Sequence, residues 1–168
     1  MKRIVVAVDF NEEVNDVLDV ASSIATATGA GVDVVHIYST SPEFVSAPPY
    51  FFPGMPVSED LAEHGERVRE QRKRVREIVG KLQKRNIEVV GHMRASEKED
   101  VVRGIVEFAR EREADMIVIG THRPGRIERI VMGSTTEGVV RQSEIPVLIV
   151  PRKKGGGEPE PLLPPQRE

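Results

Sequence analysis

Five short apolar runs rich in branched residues recur along the chain, at Ile4–Val8, Val32–Ile37, Ile87–Val90, Met116–Ile119 and Val147–Val150. Runs of this length and composition read as strands buried on both faces. The segments between them have helical period. The first places Val14, Val17, Leu18, Ala21, Ile24 and Ala25 on one stripe and ends near Gly29 and Gly31. The second, from about Ser58 to Arg85, repeats Leu61, Val68, Val75 and Leu82 seven apart, with Ile78 and Val79 widening the face. Its many Glu and Arg residues read as a solvated face. The third opens with Ser96-Glu97-Lys98-Glu99, which has capping-box form, and offers Val101, Val102, Ile105, Val106, Phe108 and Ala109 to a core. The fourth runs from about Ser134 to Gln142. Strand alternating with helix predicts a mainly parallel sheet covered on both faces, a doubly wound α/β domain.

Two stretches fall outside this rhythm. Residues 39–57 hold five of the twelve prolines together with Phe44, Tyr50, Phe51 and Phe52. That is too proline-rich for a regular element and too aromatic for a plain linker, so the loop is expected to pack as a lid or a clasp. Residues 153–168 combine three consecutive glycines, four prolines and charged residues around Leu162-Leu163, the composition of a disordered tail. One domain over residues 1–152 remains. With 39% hydrophobic and 30% charged residues in 168, the composition is globular.

The absence of cysteine excludes disulfide, Fe–S and thiolate chemistry, and four scattered histidines give no metal-ligand spacing. The basic start at Lys2-Arg3 meets Asp9 too early for a signal peptide, and no segment approaches the roughly 20 apolar residues of a membrane span. A cytoplasmic protein is expected, without membrane partners. A formal charge of −3 argues against general nucleic-acid binding, while a local basic patch can still hold one phosphate.

Candidate chemistry concentrates between Asp115 and Val150. Strand Met116–Ile119 runs into Gly120, then a basic loop, then Gly133-Ser134 at a helix start. Glycine at a strand's carboxyl end and Gly-Ser at a helix start let backbone N–H groups approach an anion at the helix's positive end. Ser134-Thr135-Thr136-Glu137 also has the form of a capping box, with the serine on the Glu137 N–H; both roles stand open for Ser134. In an open parallel sheet, ligands bind beyond the strands' carboxyl ends where the winding reverses. Asp9, after Val5-Val6-Ala7-Val8, is placed there to take a ribose hydroxyl or to help hold hydrated Mg²⁺ beside phosphates. Asp9-Phe10-Asn11-Glu12 has capping-box form as well, and Asn11 offers a second cap.

Ile4-Val5-Val6-Ala7-Val8-Asp9, Val34-Val35-His36-Ile37, the run Ala114 to His122, Gly133-Ser134 and Ile145 to Val150 stand in the order and at the distances seen in one family. Over nearly residues 1–151 the chain resembles the universal stress proteins. The resemblance implies a five-stranded parallel sheet in the order 3-2-1-4-5, a homodimer joined through the last strand at Val147–Val150, and, in one branch, binding of an adenine nucleotide, ATP or AMP. That branch carries Gly, two residues, Gly, nine residues, then Gly-Ser or Gly-Thr. Gly120 and Gly133-Ser134 match its ends; Arg123 stands in place of the middle glycine, and Pro124 removes an N–H donor. Carried over residue by residue, Ala7, Asp9, Ile37, Ile119, Gly120, Gly133, Ser134 and Thr135 line the nucleotide site. Ile37 and Ile119 flank adenine, Asp9 faces ribose or metal, and Gly120, Gly133 and Ser134 face phosphates.

The departure at Arg123 leaves two function classes. Arg123, Arg126 and Arg129 offer guanidinium groups to phosphate oxygens, which keeps a nucleotide-binding protein. Alternatively the altered loop and the aromatic loop form protein-binding surfaces of a nucleotide-independent dimer, with a partner the sequence does not identify. Enzymatic turnover is expected to be weak ATP hydrolysis at most, since no residue qualifies as a general base; His122 has no evident partner carboxylate or nucleophile. Gly91-His92-Met93 after the third strand and Pro151-Arg152 after the fifth argue against a phosphoacceptor receiver domain, which needs an acceptor aspartate and a lysine there.

Overall fold

In the computed structural model, residues 1–10, 14–39, 59–96, 100–121 and 133–151 are described. Nine elements alternate along them: β1 (Arg3–Ala7), α1 (Val14–Thr28), β2 (Gly31–Ser39), α2 (Glu59–Gln83), β3 (Val89–Ser96), α3 (Val101–Glu111), β4 (Met116–Gly120), α4 (Ser134–Gln142) and β5 (Val147–Val150). The strands form one parallel sheet in the order β3-β2-β1-β4-β5, as the resemblance implied. The expected lid or clasp at residues 39–57 and the tail at 153–168 lie outside the described residues, apart from the backbone of Ser39.

Alternating side chains of the central strands supply two apolar layers. Ile4, Val6, Val32, Val34 and Val118 meet Val17, Leu18, Ala21 and Ala25 of α1 and Ile78 and Leu82 of α2. On the other face Val5, Ala7, Val35, Ile117 and Ile119 meet Ile105, Val106, Phe108 and Ala109 of α3 and Val139 of α4. This two-sided burial explains why β1 and β4 read as unbroken apolar runs. Gly29, at φ 68°, ends α1 in the left-handed conformation that glycine adopts without a Cβ penalty.

Two sequence expectations shift at β3. It was expected at Ile87–Val90, but it runs from Val89 to Ser96, pairing with β2 from Val32 through Ser39. At this sheet edge one side is open, so Gly91, His92 and Arg94 are accommodated where a central strand would want apolar residues. Ser96 is therefore the strand's last residue and not the cap of α3. The cap is Asp100, whose carboxylate accepts the Arg103 N–H at 3.0 Å.

A charge cluster sits near the strands' amino ends. Asp33 of β2 is fully buried, and its carboxylate accepts Arg3 Nη1 at 2.7 Å, His92 Nε2 at 2.8 Å, Arg112 Nε at 3.1 Å and Arg112 Nη2 at 3.2 Å. Burial works to raise the Asp33 pKa, but the hydrogen bonds from Arg3, Arg112 and His92 outweigh it and hold the carboxyl below its ordinary value. Three segments far apart in sequence are thereby fixed to one buried anion.

Candidate functional site

The winding reverses between β1 and β4, so the chain leaving β1 and the chain leaving β4 part at the sheet's carboxyl edge. A cleft of about 450 Å³ opens there. Of the nine residues singled out from sequence, Ala7, Asp9, Ile37, Ile119, Gly120, Gly133, Ser134 and Thr135 all line it. Arg123, with His122 and the rest of residues 122–132, lies outside the described residues.

The phosphate side of the pattern rests on α4. Its N-cap is Gly133, extended at φ −63° and ψ 154°, and no side chain caps the helix. The capping-box role for Ser134 is thus overturned: the serine is the first helical residue and exposed, the Glu137 N–H bonds the Gly133 carbonyl at 2.9 Å, and the Glu137 carboxylate pairs with Arg141 at 2.8 Å. The first-turn N–H groups of α4 have no intrahelical acceptor and carry the helix's positive end to the cleft. Thr136, also lining the cleft, donates its hydroxyl to the Gly120 carbonyl at 2.8 Å and ties the start of α4 to the end of β4.

Asp9 stands on the rim, exposed, after a β1 end held by the Val8 N–H on the Val35 carbonyl at 3.0 Å. Its alternative role as a helix cap fails as well. A cap at Asp9 requires Phe10 to be helical, whereas Phe10 has φ 62° and α1 begins at Val14. The second cap considered, Asn11, lies outside the described residues. Phe10 instead turns its ring onto His36, centroids 4.2 Å apart. His36 Nδ1 donates to the Val8 carbonyl at 2.8 Å, and burial depresses the imidazole pKa against the opposing pull of that carbonyl and of Asp9. A neutral histidine thus buttresses the strand end that presents Asp9.

The opposite wall is apolar. Ile37 and Ile119, from strands on either side of β1, line the cleft together with Val101 and Ile105 of α3. A Cβ on Gly104 would come within 3.1 Å of Ile37 Cγ2, so glycine is what lets α3 lie this close to β2. Sequence reasoning missed Val101, Ile105 and Thr136 as site residues. Val101 and Ile105 belong to the same i, i+4 stripe as the core residues, and Thr136 was hidden inside an apparent capping box, so periodicity carried no signal that would have separated them. Among the described residues no group of three or more His, Cys, Asp or Glu is placed to hold a metal ion. A lone Asp9 carboxylate suits Mg²⁺ only if phosphates and water complete the shell. No helix among those residues is long and apolar enough to cross a membrane.

The universal stress protein family model matches residues 1–151. A universal stress protein of Methanocaldococcus jannaschii is 31% identical over 160 residues, covering 91% of this chain and 84% of its own. Among solved structures, the universal stress protein of Archaeoglobus fulgidus in complex with dAMP superposes with a TM-score of 0.63 at 26% identity, over 89% of this chain and 98% of that one. A universal stress protein in complex with cAMP gives 0.61 at 23% identity, over 89% and 95%.

Proposed function

The chain belongs to the universal stress protein family, and from that premise we propose that it binds an adenine nucleotide, ATP or AMP, at the carboxyl ends of β1 and β4. The observation that carries this is the convergence of eight sequence-chosen residues on one cleft with the uncapped start of α4 opening into it. The volume, about 450 Å³, lies within the range of small-molecule sites. In this reading Ile37 and Ile119 flank the base, Asp9 takes the ribose or a hydrated Mg²⁺, and the N–H groups of Ser134 and Thr135 meet phosphate. Arg123 supplies a guanidinium in place of the glycine that the pattern calls for. The relatives solved with dAMP and cAMP support the ligand class. Hydrolysis is weak at most, because among the described residues no side chain lining the cleft is a convincing base for water.

Titration calorimetry with ATP, ADP and AMP tests the reading. Heat of binding to at least one of them is expected, abolished or reduced in Asp9→Ala. No binding of any of the three overturns it and leaves a nucleotide-independent interaction protein, the reading favoured by Arg123-Pro124. We also propose a homodimer through β5, whose Val147, Leu148 and Ile149 are half-buried along the sheet edge. A cytoplasmic setting fits both proposals.

A further inference from the structure

Strand β3 is a long, open edge of the sheet. It pairs with β2 residue for residue from Val89 through Ser96, without proline or bulge, the devices that commonly close such an edge. Its Arg94 is drawn back into two bonds with Glu111 of α3, at 2.6 and 2.8 Å. The Val32 N–H bonds the Glu88 carbonyl at 2.8 Å, which sets the alternation of the parallel ladder. Val90, His92 and Arg94 turn their N–H and C=O toward β2, whereas Gly91, Met93 and Ala95 turn theirs outward. Gly91 and Ala95 are exposed, and among the described residues no other strand pairs with this edge.

A groove of about 520 Å³ runs between this edge and α2. Val75, Val79 and Met93 give it an apolar floor, and Arg72 and Arg76 form its rim. A Cβ on Gly91 would come 2.6 Å from Val75 Cγ1 and 2.8 Å from Val79 Cγ2, so glycine is what brings α2 this close to the edge. The rim's charge is unbalanced. From Gly65 to Arg85 the chain carries nine Arg and Lys against three Glu, although the whole protein has a formal charge of −3. Arg74 pairs with Glu70 and Arg85 with Asp19. Arg69, Arg72 and Arg76, exposed at i, i+3 and i+7, have no ion pair among the described residues.

We propose that this edge docks an extended, acidic segment of a partner protein by β-strand addition. The outward N–H and C=O groups of Gly91, Met93 and Ala95 supply the main-chain bonds, and the groove selects side chains. Alternate side chains of an added strand fall on its α2 face. The one beside Gly91 meets Val75 and Val79 and is apolar. A strand's two-residue repeat of about 6.6 Å then reaches the level of Arg76 and Arg72, about 4.5 and 10.5 Å from Val79 along α2, where an acidic side chain is wanted. A second copy of the chain suits the edge less well, because pairing β3 with itself about a two-fold axis sets two arginine rows against each other. Nucleic acid would leave both the apolar floor and the strand amides unused.

The blocked peptide Thr-Val-Thr-Glu-Thr-Glu-Thr and its reversed sequence serve as probes, one for each strand direction. Fluorescence anisotropy with the full chain is expected to show binding of one of them, weakened about tenfold or more by Gln in place of both Glu or by Arg72→Glu/Arg76→Glu. Ala95→Pro removes one outward N–H, a change an edge strand tolerates, and should weaken binding about tenfold with the thermal midpoint nearly unchanged. In ¹⁵N spectra the bound peptide should slow amide exchange at Gly91, Met93 and Ala95 while Val90, His92 and Arg94, already bonded to β2, change little. No binding of either peptide overturns the inference, whether or not single-stranded RNA binds instead. So does binding that leaves exchange at Gly91, Met93 and Ala95 unchanged, and so does a wild-type dimer that Ala95→Pro splits, which would assign the edge to a second copy.

Discussion

Thr136 Oγ1 lies 2.8 Å from the Gly120 carbonyl, joining the first turn of α4 to the last residue of β4. The two residues are sixteen apart in sequence, and the junction of β4 with α4 at the cleft is held by this bond. Thr136→Val keeps shape and removes the donor, so it should cost about 1–2 kcal/mol in urea unfolding. Thr136→Ser should restore most of that. If nucleotide binds here, Thr136→Val should also weaken it, and an affinity unchanged in calorimetry would show that the tie does not set the site.

Ser134→Pro separates backbone from side chain. Proline is tolerated at the first helical position, and Gly133 at φ −63° and ψ 154° already has the conformation required before proline. The variant should fold normally but lose one N–H at the cleft. AMP binding should weaken about tenfold, the scale of one charged hydrogen bond. Adenosine should bind as before. Ser134→Ala, which keeps the N–H, is the control and should change AMP affinity less.

Removing Asp33 should be costly, because Arg3 and Arg112 would lose their shared buried anion. Asp33→Asn is expected to destabilise by about 2–4 kcal/mol at neutral pH. Since the folded-state pKa of Asp33 is depressed, its contribution is fully present above the unfolded carboxylate value, near pH 4, and is lost as pH falls through the folded value. Chemical unfolding from pH 6 to pH 3 should therefore show a shallower decline in Asp33→Asn than in the wild type.

His36 acts in a higher pH window. Its folded pKa is also depressed, so the unfolded chain takes up the proton first, and stability should begin to fall below about pH 6.5. His36→Gln should flatten the slope between pH 6.5 and 5 without touching the Asp33 window. An unchanged slope would mean that another group is responsible.

Ile149→Lys puts a charge on the exposed edge of β5. The proposed dimer should become a folded monomer in sedimentation at micromolar concentration, and a wild type that is itself monomeric would remove the dimer from the account.

Nearly the whole architecture was legible in the chain, because both faces of the central strands are buried and the helices have one apolar stripe each. The misplaced features share a cause. Ser96, Ser134 and Asp9 all begin short polar patterns that fit a capping box, yet local pattern does not report which residue stands at the helix boundary; Asp100 and Gly133 do, and at Phe10 a left-handed φ prevents the helix from starting. Asp33 was invisible for another reason. Its partners Arg3, His92 and Arg112 are 30, 59 and 79 residues away, and only the register of three strands and the end of α3 unites them. Eight cleft residues were nameable because they sit at strand ends and a helix start, whereas Val101 and Ile105 reach the cleft only through the closeness of α3 to β2.

The Asp33 cluster and the cleft occupy opposite ends of the same strands. Changes at the carboxyl edge, such as arginine where a phosphate loop would carry glycine, thus leave the buried anion and its four donors untouched. The anchoring end gives the cleft end room to diversify: residues lining the cleft can change while the sheet stays assembled.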